Sequence, residues 1–167
     1  MCSSGVTKLV ACILDPRCED SKADAAAHEL HECLRTWSAT LKYFRIHVIA
    51  LLYSRKPCLA LSEAIMTLTE LRILECGGVH LDYGIISKLP RLERLTCHES
   101  YEREGWIQQL TTLLKDAERF PSLTFISGSF YYEHYSTGVL TRFREVCGRR
   151  DIEIGTMVGS WRFASGT

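Results

Sequence analysis

The sequence predicts an α/β fold: a right-handed solenoid with a parallel sheet on its concave side and helices outside. Three observations lead there. One apolar spacing occurs five times, as Val6-x-x-Leu9-x-Ala11, Leu41-x-x-Phe44-x-Ile46, Leu71-x-x-Leu74-x-Cys76, Leu92-x-x-Leu95-x-Cys97 and Leu123-x-x-Ile126-x-Gly128. These segments start at positions 6, 41, 71, 92 and 123, in steps of 35, 30, 21 and 31 residues, the period of stacked repeats. Between them lie stretches of helical periodicity, and strand-helix alternation requires parallel strands joined by crossovers. Lastly, each strand has one apolar and one polar face, whereas a compact doubly wound domain, the competing architecture, needs apolar runs on both.

In each segment the fourth and sixth residues alternate around a non-core position, so both point to one side of an extended strand. The apolar residue three positions earlier anchors the chain as it turns into the strand. A proline precedes that anchor in Leu89-Pro90-Arg91-Leu92 and Phe120-Pro121-Ser122-Leu123, where it ends a helix without interrupting one.

The first strand is expected over Val6 to Ile13. A helix follows on Ala26, Leu30, Cys33, Leu34 and Trp37, opening at the capping-box-like Ser21-x-x-Asp24. After the second strand, Leu61, Ala64, Ile65 and Leu68 form another stripe, and Gly77-Gly78 makes a tight strand-to-helix connection in the shortened third unit. The clearest helix uses Trp106, Ile107, Leu110, Leu113, Leu114 and Ala117. Glu102 and Glu104 fall in its first turn and Lys115 and Arg119 in its last, the order that complements the helix dipole. The final helix takes Val139, Leu140, Phe143, Val146 and Cys147 and stops at Gly148, a residue suited to a left-handed C′ position. Ile152-x-Ile154 then adds a sixth strand. The domain spans 1–155, with a tail over 156–167.

The pattern L-x-x-L-x-L/C resembles leucine-rich repeats. The long irregular units, the prolines before the anchor and the Cys at the last core position resemble the ribonuclease-inhibitor-like subgroup, over residues 6 to 154. The segment Phe143-Arg144-Glu145-Val146-Cys147-Gly148-Arg149-Arg150-Asp151-Ile152-Glu153-Ile154 resembles the closing helix and strand of fungal F-box proteins with such repeats. The resemblance implies a protein-interaction module, the substrate-recognition part of an F-box-type ubiquitin ligase. Two departures stand out: the residues closing the turns vary, and no F-box precedes Val6, as expected of a truncated or divergent member.

Twenty basic and 20 acidic residues give a formal net charge of +0, which offers no bulk attraction to nucleic acid or an anionic membrane. No run reaches the roughly 18 apolar residues that span a bilayer, and Met1 to Gly5 lacks the features of a signal peptide. The chain reads as a soluble protein of the cytoplasm or nucleus. Its eight cysteines read as reduced: Cys76 and Cys97 share a core position in adjacent units, and Cys33 and Cys147 sit on apolar helix stripes, as small hydrophobes. A Cys76 to Cys97 bridge is the alternative.

No catalytic residue, metal ligand or cofactor is assigned. The clusters His28, His31, Cys33 and Cys97, His98 lack metal-ligand spacing. There is no nucleophile elbow, phosphate loop or carboxylate pair.

With the sixth position inward, the third, fifth and seventh face the concave surface: Lys8, Val10, Cys12; Tyr43, Arg45, His47; Ile73, Glu75, Gly77; Arg94, Thr96, His98; Phe125, Ser127, Ser129. The partner-binding surface is expected at Tyr43, Arg45, His47, Glu75, Arg94, Thr96, His98, Ser127 and Ser129, extending to Tyr131 and Tyr132. Those two belong to the aromatic run Phe130, Tyr131, Tyr132, His134, Tyr135, which suits either packing over the end of the core or recognition. The partner is a protein, with self-association through the uncapped first strand as the alternative.

Overall fold

A computed structural model describes residues 5–15, 29–50, 58–98, 105–128 and 137–156; for 13–15, 48–50, 98, 137 and 156 it describes the backbone alone. Six strands form one sheet: β1 (Lys8–Asp15), β2 (Tyr43–Ala50), β3 (Ile73–Gly77), β4 (Arg94–His98), β5 (Phe125–Gly128) and β6 (Glu153–Thr156). They lie in chain order and every pair is parallel. The helices are α1, described over 29–36, α2 (Leu59–Met66), α3 (Tyr83–Ile86), α4 (Gly105–Leu113) and α5 (Thr137–Arg149).

The register follows the repeated spacing. Phe44, Leu74, Leu95 and Ile126 stand side by side on neighbouring strands, as do Ile46, Cys76, Cys97 and Gly128, and all eight are buried. The anchors Leu41, Leu71, Leu92 and Leu123 are buried beside them. Successive helices pack on one another, α2 on α3, α3 on α4 and α4 on α5. Their apolar stripes close the core from the same side: Leu61, Ala64 and Ile65, then Tyr83 and Ile86, Trp106, Ile107 and Leu110, and Leu140, Phe143 and Val146.

Each strand is seated by the one before it. The carbonyl of Thr7 accepts from the N–H groups of Lys42 and Tyr43, that of Lys42 from Arg72 and Ile73, that of Arg72 from Glu93 and Arg94, and that of Glu93 from Thr124 and Phe125. Glu153 N–H continues the series onto Thr124. The adjoining turns add the ion pairs Arg72–Glu93, at 2.9 Å, and Arg91–Glu70. Ser122 Oγ donates to the Pro90 carbonyl at 2.7 Å. Buried hydroxyls are satisfied locally: Ser62 Oγ donates to the Cys58 carbonyl and accepts from Asp82 N–H, both at 2.9 Å.

Several expectations are corrected. The first strand runs over Lys8–Asp15, two residues later than Val6 to Ile13. α4 ends at Leu113, so Ala117 lies beyond it and is exposed, and Lys115 and Arg119 are outside the helix. The left-handed residue after α5 is Asp151 (φ 53°), not Gly148. Ile152 N–H reaches the Cys147 carbonyl at 3.0 Å and Asp151 N–H that of Gly148 at 3.4 Å, a Schellman closure. Cys33 is exposed beside the fully buried Leu34, because the stripe of α1 is narrower than its run of apolar residues.

The helix expected after Gly77-Gly78, to which the sequence assigned no residues, is Tyr83–Ile86. α3 is a single turn capped by Asp82, whose side chain accepts from Ile85 N–H at 3.2 Å, and it is all the helix that the shortest unit has room for. Gly78 (φ 69°) makes the connection out of β3. No disulfide joins Cys76 to Cys97, although they are register partners. The capping-box segment Ser21-x-x-Asp24 and Glu102 and Glu104 lie outside the described residues, as does the tail from 157.

Candidate functional site

The side chains that alternate with the core line the other face of the sheet in three rows. Lys8, Tyr43, Ile73, Arg94, Phe125 and Glu153 form the first, in strand order. Val10, Arg45, Glu75, Thr96, Ser127 and Gly155 form the second. Cys12, His47 and Gly77 form the third, with the backbone of His98 in register beside Gly77. Parallel pairing in register produces these rows: residues two apart share a face, and equal positions on neighbouring strands stand side by side.

The rows are held by contacts between strands. In the first, Lys8 Nζ lies 4.7 Å from the centroid of the Tyr43 ring and the Arg94 guanidinium 4.1 Å from that of Phe125, both within the range of cation–π attraction. In the second, Arg45 Nε stands 3.6 Å from Glu75 Oε2. Thr96 Oγ1 and Ser127 Oγ share a hydrogen bond of 2.9 Å. Two glycines provide clearance: the His47 ring lies where a side chain at Gly77 would go, and the Phe125 ring where one at Gly155 would go.

Electrostatics follow from this packing. Burial, then the charge of the Glu75 carboxylate and a hydrogen bond to it, push the Tyr43 hydroxyl above its usual value, against a smaller opposing effect of Arg45. Burial, then the positive charge of Arg45, lowers His47. The face therefore presents a neutral imidazole, a protonated phenol and guanidinium planes already fixed against a carboxylate and a ring. Such an arrangement suits contact with the backbone and acidic or aromatic side chains of another molecule.

Of the expected site residues, Tyr43, Arg45, His47, Glu75 and Thr96 are half-buried neighbours across β2 to β4, and Arg94 is exposed beside them. Ser127 is corrected. It was expected to be accessible but is 4% exposed, because its small side chain lies between Thr96 and Gly155 and spends its hydroxyl on Thr96. His98 belongs to β4, but its side chain lies outside the described residues, as do Ser129, Tyr131 and Tyr132 entirely. Lys8 and Phe125 were not singled out. The signal was available, since both occupy the third position of their segments, next to Tyr43 and Arg94.

Comparison of the chain with protein-family models, with curated proteins and with solved structures finds no match in any of the three. Among the described residues no group of three or more His, Cys, Asp or Glu side chains is arranged to hold a metal ion. No helix among them is long and apolar enough to cross a membrane.

Proposed function

We propose that the chain is a protein-binding module, a right-handed leucine-rich-repeat-like solenoid whose sheet forms the concave docking wall. The observation that carries the reading is the three-row face, where Tyr43, Arg45, Glu75, Arg94 and Thr96 are held by neighbouring strands yet still reach solvent. Strand order supports the solenoid: a doubly wound sheet reverses direction at a switch point, and here the order runs β1 to β6 without reversal. Recognition is by contact, without covalent chemistry. Side chains fixed by cation–π and ion-pair contacts lose little freedom when a partner docks, so more of the contact energy remains as affinity. Arg and Tyr are the residue types that most often dominate such interfaces.

The resemblance of residues 143–154 makes the substrate-recognition part of an F-box-type ubiquitin ligase the setting to test first. A photo-crosslinking residue at Thr96 should trap a protein partner that one at Glu63, exposed on α2, does not, and Arg45→Glu with Arg94→Glu should abolish the trapping. Equal trapping from both positions, or trapping that survives the double reversal, rules the wall out. Adaptor and cullin subunits should co-purify only through a segment other than this one.

A second reading rests on the edge strand. Val10 is 58% exposed, and Leu9 and Ala11 are only partly covered, whereas their counterparts on β2 to β4 are buried. β1 is the terminal strand of the sheet among the described residues, and such a strand is where two copies of the chain would pair.

A further inference from the structure

Away from the sheet, a cavity of about 230 Å³ opens between the end of α4 and the end of α5, lined by Leu114, Lys115, Ala117, Val146, Arg149 and Arg150. Leu114 and Val146 are buried and make an apolar floor; Lys115, Ala117 and Arg149 are exposed at the rim.

The mouth is basic, as the ends of two helices favour. Helix C-termini present carbonyls and are electronegative. Here Arg150 covers carbonyls of the segment that follows α4, donating to that of Arg119 at 2.8 Å and to that of Phe120 at 2.9 Å, with longer contacts of 3.4 Å to those of Leu114 and Asp116. Its guanidinium is thus consumed as a wall. Lys115 and Arg149 are not: neither has a carboxylate within ion-pair distance among the described residues. Asp116 is engaged by Arg119 at 3.7 Å and by the Glu118 N–H at 2.9 Å. Glu118, Glu145 and Asp151 are the remaining acids of these turns, all exposed.

Size narrows the occupant. At roughly 30 Å³ per water the cavity has room for about eight, and it falls below the ~300 Å³ at which pockets begin to take whole small molecules. One aliphatic side chain fits. We propose that this cavity is a docking site for an acidic peptide segment, which seats one leucine-sized side chain on Leu114 and Val146 and sets flanking carboxylates on Lys115 and Arg149. The site is separate from the sheet face and does not depend on the function proposed for it.

The test uses the full chain, isotopically labelled, and a capped pentapeptide with one leucine between two pairs of glutamates, followed by amide chemical shifts. Shifts should concentrate on residues 113–119 and 145–151. Lys115→Glu with Arg149→Glu should weaken binding about tenfold or more, and raising salt from ~0.05 to ~0.3 M should weaken it for the native chain. Both positions are exposed, and the spectrum of the variant itself reports its fold. A peptide with serine in place of leucine probes the apolar floor without altering the protein and should bind several-fold more weakly. The proposal is overturned if millimolar peptide produces no shifts, if the serine peptide binds equally well, if the double variant binds unchanged, or if the shifts fall on the strands carrying Arg45 and Arg94.

Discussion

The imidazole of His47 lies over Gly77, its register partner on the neighbouring strand, and fills the space that any side chain at 77 would need. Gly77→Ala should therefore displace the ring or spread the strands, costing about 1 to 3 kcal/mol as overpacking does. His47→Ala in the same chain should recover most of that loss. A double-mutant cycle of denaturation midpoints measures the coupling, and additive effects would show that the two positions do not share the space.

The same burial sets a pH dependence. His47 titrates below its ordinary 6.5 in the folded chain, so as pH falls through about 6.5 the unfolded chain takes up a proton that the folded chain resists. Stability is full above that pH, is lost as pH drops, and levels off below the folded value. His47→Asn should flatten this part of the stability profile. Arg45→Gln should bring the imidazole only part of the way back, since burial is the larger cause.

Tyr43 offers the opposite limb. Its hydroxyl is raised above 10 mainly by burial and secondarily by Glu75; the folded chain then keeps a proton that the unfolded chain gives up, and stability is lost as pH rises through about 10. Glu75→Gln should lower the tyrosinate transition in an ultraviolet titration without returning it to the ordinary value. A complete return would make the carboxylate, not burial, the dominant cause.

Leu95→Ala should destabilise the fold by about 2 to 5 kcal/mol, the usual cost of truncating a buried leucine. Thr96→Val, which removes one hydroxyl from a hydrogen bond with Ser127, should cost about 1 kcal/mol. Equal effects at these adjacent positions would contradict the register.

The repeated L-x-x-L-x-L/C spacing made the strands legible because side-chain alternation has a period of two, and one buried face leaves a single workable register. Leu74, Cys76, Leu95 and Ile126 were readable for that reason. What escaped depends on fit between distant segments. Gly128 occupies a core position without a side chain because Trp106 fills the room: a methyl group there would come within 2.8 Å of the indole Cη2 and 2.9 Å of the Cys97 carbonyl. Ser127 is buried through the small neighbour Gly155, 28 residues further along the chain. The single turn of α3 is too short to display a period of 3.6, and the left-handed Asp151 carries none of the glycine signal that pointed to 148.

Edge behaviour gives a further prediction. If β1 templates self-association, sedimentation at rising concentration should show dimers, and Val10→Lys should remove them by placing a charge on the exposed edge. A native chain that stays monomeric, with slow amide exchange over residues 8–15, would show that the edge is already covered.

The carbonyl series from Thr7 through Lys42, Arg72, Glu93 and Thr124 means that each strand takes its position from the one before and passes it to the next. Tension applied between residues 8 and 156 would consequently load these junctions in series instead of sharing the load across the whole sheet. The chain would come apart from an end, one strand at a time, giving many small extensions in place of a single rupture. Errors would accumulate along the same line: a displaced Lys42 carbonyl would tilt every strand that follows while leaving Lys8 to Asp15 where it was.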